Sequence, residues 1–378
     1  MNLRDLDISN KNIIIRCDFN VPIKDGKIVD DTRIIKSLKT INYVLKNANR
    51  IVLLSHLGRI KTEEDKKNNS LRIVSDYLSN LLNQKVGFYD YNGELPDNKI
   101  ILFENTRFFD LDNNKESNCD KELSKYFSSF GEVFINDAFG TCHRENASNV
   151  GITKYLPSVN GFLVEEEINN LEKLVNNVNR PYVLIMGGAK VSDKIVLINN
   201  LIKKVDKLLI GGGMAYTFLK ANSYNIGKSI CDNNSLEYVK KLLKDYSDKI
   251  ILPLDSYVDR NGKKELISNN EILDDDICLD IGPKTIELFE KEILKAKTIF
   301  FNGPLGVFED GYEYGTKSII GLLNNSDALI EVGGGDTVNA VNKYSIKDNL
   351  IISTGGGASL EYLEGKKLPG VIYGKEKE

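Results

Sequence analysis

Four glycine clusters in the second half of the chain constrain the fold more than any other feature. Each ends a short apolar run. Val183–Met186 leads to Gly187 and Gly188, Leu208–Ile210 to Gly211–Gly213, Leu329–Val332 to Gly333–Gly335, and Leu350–Ile352 to Gly355–Gly357. An apolar run ending in glycine reads as a buried strand turning tightly into the next element. Glycine lets backbone N–H groups approach an anion closely, and a following helix adds its positive end. Four such turns predict one large phosphate-bearing ligand lying across the edge of a parallel sheet.

The first half repeats the pattern with other chemistry. The runs Ile13–Ile15, Ile51–Leu54, Ile100–Phe103 and Val133–Ile135 end in segments that carry Arg16, Arg59, Arg107 and Arg144, with His56 and His143 among them. Residues just past the strand ends of an open α/β sheet gather in one crevice. Such a cluster suits a small polyanion, because guanidinium forks match carboxylate and phosphate geometry. If the segment after the first run stays extended, Arg16, Asp18 and Asn20 point to the same side.

Strand-like runs alternate with helix-like stretches throughout, which predicts an α/β fold of doubly wound lobes with mainly parallel sheets. A chain of 378 residues has room for two or three domains. Val164, Ile168, Leu171 and Val175 follow helical spacing, and the polar stretch Asn176–Pro181 breaks the pattern. A connector helix is therefore expected over 163–175, between a first lobe over 1–162 and a second over 176–365. The charged stretch Lys61–Ser70 reads as an exposed loop.

A net charge of −4 gives no sign of nucleic-acid binding. No apolar run is long enough to span a bilayer, and the start lacks the apolar core of a signal peptide. Five scattered cysteines show neither metal-ligand spacing nor a disulfide framework, so a cytoplasmic protein with reduced thiols is expected. Two histidines in the chain leave no room for a histidine-rich metal site.

Gly187-Gly188-Ala189-Lys190 and Lys194 match neither a P-loop nor a dinucleotide fingerprint. Lys190 and Lys194, one helical turn apart, would share a face suited to phosphate; a tight turn with solvated lysines is the plainer alternative. Asp336 follows the third glycine cluster and is the candidate magnesium ligand, with Thr337 beside it; a helix cap would use the same residues. Gly355–Gly357 carries no charged side chain. Its N–H groups would stabilise a transferring phosphoryl, unless the glycines serve only close packing. Asn302 and Glu309 would bind sugar hydroxyls and Pro304 would line a base pocket, although an ordinary turn reads the same way.

Taken in order, these motifs resemble those of the phosphoglycerate kinase family over essentially the whole chain. The resemblance rests on Arg16-x-Asp18-x-Asn20-Val21-Pro22, Ser55-His56-Leu57-Gly58-Arg59, Asp137-Ala138-Phe139-Gly140-Thr141, Gly187-Gly188-Ala189-Lys190, Asn302-Gly303-Pro304, Gly333-Gly334-Gly335-Asp336-Thr337 and Leu363-Glu364-Gly365-Lys366. It implies a first lobe that binds 3-phosphoglycerate or 1,3-bisphosphoglycerate through Asp18, Asn20, Arg33, His56, Arg59, Arg107 and Arg144. A C-terminal tail of about 366–378 would return to that lobe. The second lobe would bind Mg-ADP or Mg-ATP through Lys190, Lys194, Gly211, Gly212, Gly213, Asn302, Pro304, Glu309, Gly333, Gly334, Gly335, Asp336 and Thr337, with Asp336 at the magnesium. Arg33, Lys190, Gly356 and Gly357 would serve catalysis in a monomeric enzyme. Glu145, Asn146 and Phe301 depart from the family pattern, at positions with no assigned role.

The implied reaction moves a phosphoryl group between the carboxyl oxygen of 3-phosphoglycerate and ADP. A carboxylate nucleophile is already ionised at neutral pH, so a site rich in Arg and Lys needs no general base. Substrates that start on different lobes require the lobes to close. Two other classes stay open at this stage. A dehydrogenase is disfavoured by the missing G-x-G-x-x-G, and a non-catalytic nucleotide sensor by the full set of Arg and Lys positions.

Overall fold

The computed structural model describes residues 2–344 and 350–373. The chain divides into two compact units, Met1–Asn169 with Lys367–Glu378, and Asn170–Lys366. The division falls inside a helix, between Asn169 and Asn170. Residues 374–378 of the expected tail lie outside the described residues.

The first unit holds β1 (Asn12–Arg16), the short hairpin β2 (Ile23–Lys24) and β3 (Lys27–Ile28), β4 (Arg50–Leu54), β5 (Val86–Tyr89), β6 (Ile100–Phe103), β7 (Val133–Asn136) and β8 (Ser158–Asn160). Its helices are α1 (Thr32–Leu45), α2 (Glu63–Asn68), α3 (Arg72–Leu81), α4 (Lys121–Ser128) and the start of α5 (Phe162–Val175). The sheet runs β5-β6-β4-β1-β7-β8, and every neighbouring pair is parallel. Its strands are apolar on both sides because both faces are covered. Ile13, Ile15, Ile51, Leu53, Ile100 and Leu102 enter one core. The alternate residues Ile14, Val52, Leu54, Ile101, Phe103 and Phe134 enter another.

The second unit carries β9 (Tyr182–Met186), β10 (Lys207–Ile210), β11 (Ile250–Ile251), β12 (Asp255–Arg260), β13 (Lys263–Ser268), β14 (Ile277–Ile281), β15 (Thr298–Asn302), β16 (Leu329–Gly333) and β17 (Leu350–Ile352). Between them lie α6 (Ile195–Leu201), α7 (Met214–Ala221), α8 (Leu236–Asp245), α9 (Pro283–Ile293), α10 (Tyr314–Asn324), α11 (Gly335–Asn342) and α12 (Gly356–Leu363). The parallel sheet runs β11-β10-β9-β15-β16-β17. The expected α/β architecture with two mainly parallel sheets is what the chain adopts.

Three features differ from the sequence reading. The stretch read as a loop contains α2, because Thr62 and Asp65 form a capping box that satisfies its first N–H groups. The connector helix begins at Phe162 rather than 163, where Asp137 Oδ1 accepts the Leu163 N–H at 2.9 Å. A separate antiparallel sheet, β13-β12-β14, was not anticipated. Asn261 and Gly262 turn its hairpin with φ of 53° and 78°, the left-handed pair that a tight two-residue turn requires.

The C-terminal segment docks on the first unit. Gly370 N donates to Cys142 O at 2.8 Å and Gly370 O accepts from Asn136 Nδ2 at 2.7 Å. Asn160 exchanges two bonds with Ile372, each 2.9 Å.

Candidate functional site

In the first unit the order of strands reverses between β1 and β7, which lie side by side. Chains that leave neighbouring strands in opposite directions open a crevice beyond the carboxyl ends. Asp18 and Asn20 follow β1, His56 follows β4, Arg107 follows β6, Arg144 follows β7, and Arg33 is the second residue of α1. Arg33 Nη1 donates to the two carboxylate oxygens of Asp18 at 3.1 and 3.0 Å and to Asn20 O at 3.3 Å. Asn20 Oδ1 accepts the Gly58 N–H at 2.9 Å, which ties the ends of β1 and β4 together. Arg107 sits in a 3-10 turn, Thr106–Asp110, started by Asn105, whose side chain accepts the Arg107 N–H at 3.0 Å. The Arg107 guanidinium donates to Gly58 O at 2.5 Å.

His56 is buried, with Arg16 Nη2 3.4 Å from its Nδ1. Burial first, then the charges of Arg16, Arg107, Arg33 and Arg144, hold its pKa well below the usual 6.5. Burial, then Arg144 and Arg16, also lowers the Arg107 pKa. The arginines of four segments thus share one electrostatic neighbourhood. Arg144 is exposed and donates from Nε to His143 Nε2 at 3.1 Å. Arg59 is exposed and makes no hydrogen bond or ion pair among the described residues. Arg16 differs from the extended-segment reading. It is buried, 1% exposed, because Ser148 Oγ accepts its Nε–H at 2.8 Å inside the unit and Glu116, bonded to Ser148, supplies an opposite charge.

In the second unit the order reverses between β9 and β15. The glycine turns follow β9, β10, β16 and β17, and they serve two different ends. A Cβ at Gly212, whose φ is 62°, would lie 2.7 Å from both Gly188 N and Pro304 O. One at Gly187 would lie 2.2 Å from Pro304 O, and one at Gly303 2.3 Å from Gly187 O. These glycines pack three turns backbone to backbone. Gly335 and Gly356, by contrast, have open space where a side chain would be. Gly335 and Gly356 open α11 and α12, whose first N–H groups have no intrahelical partner, whereas at α7, after Gly213, the Met214 N–H donates to Gly188 O at 2.9 Å.

The first glycine turn does not lead straight into a helix. Lys190 lies in a non-helical stretch, Lys194 ends a 3-10 turn over Ser192–Lys194, and α6 starts only at Ile195. Asp232 holds the Ser192 N–H at 2.8 Å, anchoring this stretch to another segment. The two lysines therefore do not share an α-helical face. Lys190 is exposed. Lys194 is half-buried, and burial lowers its pKa against the opposing pull of Asp193, Asp336 and Glu364. Its ammonium donates to Asn302 Oδ1. Asn302 Nδ2 donates to Gly333 O at 2.8 Å, and Thr337 Oγ1 accepts the Gly303 N–H at 2.6 Å. Both side chains are buried and hold neighbouring turns together.

Beside these turns lies a cleft of about 450 Å³, within the usual range for small-molecule sites. Of the residues read from sequence, Gly212, Gly213, Pro304, Glu309 and Asp336 line it. Lys190, Lys194, Gly211, Asn302, Gly333, Gly334, Gly335, Thr337, Gly356 and Gly357 do not. The apolar wall was missed: Ile230, Ile277, Leu279, Val307 and Phe308. The antiparallel sheet supplies part of it, since Val307 N donates to Leu279 O at 3.0 Å and keeps β14 against the turn after β15. The Asn261-Gly262 pair was the signal that would have revealed this sheet. Asp336, an exposed carboxylate in the first turn of α11, suits magnesium, which takes one or two carboxylates and completes its shell with phosphate oxygens and water.

Fold and sites define an α/β protein of two parallel-sheet units, each with its chemistry gathered where the strand order reverses. The sequence model of the family described as phosphoglycerate kinase matches residues 3–366. The phosphoglycerate kinase of Enterococcus faecalis is 48% identical over 386 residues, covering 98% of this chain and 97% of its own. That of Listeria innocua is 49% identical over 383 residues, covering 97% of each. Among solved structures, phosphoglycerate kinase from Coxiella burnetii matches with a TM-score of 0.89 at 37% identity, over 98% of this chain and 97% of that one. The chain belongs to the phosphoglycerate kinase family. Of the positions noted above, Phe301 is packed in the second unit's core, Asn146 caps a turn through Asn149, and Glu145 is exposed beside Arg144.

Proposed function

We infer that the chain transfers a phosphoryl group reversibly between 1,3-bisphosphoglycerate and ADP, giving 3-phosphoglycerate and ATP, a glycolytic reaction. The observation that supports this most is the division of chemistry. A cation-lined crevice around His56 stands in one unit, and an apolar cleft edged by Glu309 and Asp336 in the other.

In this reading Asp18, Asn20, Arg33, His56, Arg59, Arg107 and Arg144 take the phosphoglycerate. Lys190, Lys194 and the glycine turns take the nucleotide phosphates, with Pro304 and Glu309 at the base and ribose. Asn302 and Thr337 act by holding the turns. Magnesium at Asp336 would neutralise charge on the nucleotide phosphates. No proton need be removed from the acceptor carboxylate, so the protein's work is alignment and charge stabilisation. Arg33, Lys190 and the N–H groups of Gly356 and Gly357 are the groups proposed to face the transferring phosphoryl. A cytoplasmic monomer completes the reading, and no helix among the described residues is long and apolar enough to cross a membrane. ATP formation from 1,3-bisphosphoglycerate and ADP, followed in a coupled assay, tests it; absence of turnover by the folded chain would refute it.

Asp336→Asn is expected to weaken Mg-nucleotide binding and leave 3-phosphoglycerate binding largely intact. The carboxylate is exposed on the cleft wall, so its loss leaves nothing buried unpaired. Calorimetric titration with each ligand checks this, and equal loss for both would put the metal elsewhere. The reading also carries a hinge closure that needs both substrates, since a ligand shifts such an equilibrium only by its preference for the closed form. Solution scattering should give the smallest radius of gyration for the ternary complex; equal radii in the free, binary and ternary states would exclude closure.

A further inference from the structure

We propose that Arg16 is a positioning residue that fixes His56 as the neutral tautomer with its proton on Nε2, so that the ring offers an N–H donor to the bound anion. Arginine has only donors and keeps its proton at all working pH values. Arg16 Nη2 lies 3.4 Å from His56 Nδ1. In that pairing the histidine nitrogen must accept, which leaves the ring proton on Nε2.

The guanidinium is held in place by the interior. Each of its three nitrogens has a partner: Nε donates to Ser148 Oγ at 2.8 Å, Nη1 to Cys17 O, and Nη2 faces the imidazole. Ser148 in turn gives both its O–H and its N–H to the carboxylate of Glu116, the latter at 3.0 Å. Glu116, Ser148 and Arg16 are buried, so the side of the ring that meets Arg16 is shut off from water. The charges that act most on the ring are cations from four segments, Arg16, Arg33, Arg107 and Arg144. A positive charge on the ring would be repelled by all of them, whereas a neutral N–H donor adds a hydrogen bond at no such cost. The crevice therefore keeps its charge on the arginines and uses the histidine for direction.

The proposal rests on the reading of the crevice as the phosphoglycerate site, but its first test needs no substrate. With two histidines in the chain, long-range proton–nitrogen correlation spectra of the full-length protein resolve each ring, and His143→Gln assigns the remaining set to His56. The expected result at pH 7 is a protonated Nε2 and a bare Nδ1, unchanged on lowering the pH through 6.5. An Nδ1–H ring or an imidazolium at pH 7 would overturn the proposal. Arg16→Lys keeps a buried cation and removes the fork. It should release a population with the proton on Nδ1 and raise KM for 3-phosphoglycerate about tenfold, roughly one hydrogen bond to a charged group, with a smaller change in kcat. A folded Arg16→Lys variant with the same tautomer would show that Arg16 does not set it. A neutral Nε2–H ring in a protein that fails to bind 3-phosphoglycerate would leave the tautomer standing and refute the substrate assignment instead.

Discussion

Replacing Lys190 by alanine is expected to lower kcat about 10²–10³-fold while changing nucleotide affinity little, the loss typical of removing one group that stabilises charge in the transition state. The side chain is exposed beside the first glycine turn and makes no hydrogen bond among the described residues. Exposed positions of this kind usually move stability by no more than about 0.5 kcal/mol. The thermal midpoint should therefore stay near its original value. A large loss of turnover with unchanged stability identifies a role in the chemistry, and steady-state kinetics with an unfolding curve on the same preparation decides it. An unchanged kcat would remove Lys190 from the mechanism.

Arg33→Ala should be more damaging still. Arg33 is the ion-pair partner of Asp18 at 3.0 Å, and the Asp18 side chain is only 5% exposed. Truncating one member of a buried, hydrogen-bonded charge pair costs about 2–5 kcal/mol. The abandoned carboxylate would also sit in the crevice as a negative charge facing a negative substrate. A fall in kcat/KM for 3-phosphoglycerate of roughly 10³-fold is expected, with nucleotide binding preserved. Arg33→Lys should recover only part of it, because an ammonium cannot reproduce a planar fork. Full activity in the lysine variant would mean that charge alone suffices.

The strand ends were legible because burial on both faces leaves long apolar runs, and chemistry can resume only where the run stops. That logic located Asp18, His56, Arg107 and Arg144, as well as the glycine turns. It failed where tertiary contacts decide conformation. Lys190 and Lys194 have helical spacing, yet Asp232 draws the segment out of the helix. Arg16 has the alternation of a crevice residue, yet Ser148 and Glu116, more than a hundred and exactly a hundred positions further on, take it inside. No local pattern marks such a pairing. Asn302 and Thr337 were read as ligand contacts because polar groups at turns look alike in sequence, whether they face a ligand or another turn. The cleft's apolar wall was hidden for the opposite reason: Ile277, Leu279 and Val307 resemble any core residue until the small antiparallel sheet sets them beside the turns.

The docking of the C-terminal segment makes the first unit dependent on the order of synthesis. Residues 1–169 leave the ribosome long before 367–373, and the whole second unit is made in between. Until then Asn136, Asn160 and the carbonyl of Cys142 lack the partners that Gly370 and Ile372 later supply. The nascent first unit can form its sheet but not finish the end of β7 or the turn at Cys142, two residues before Arg144. The amino-terminal half is thus made first and completed last.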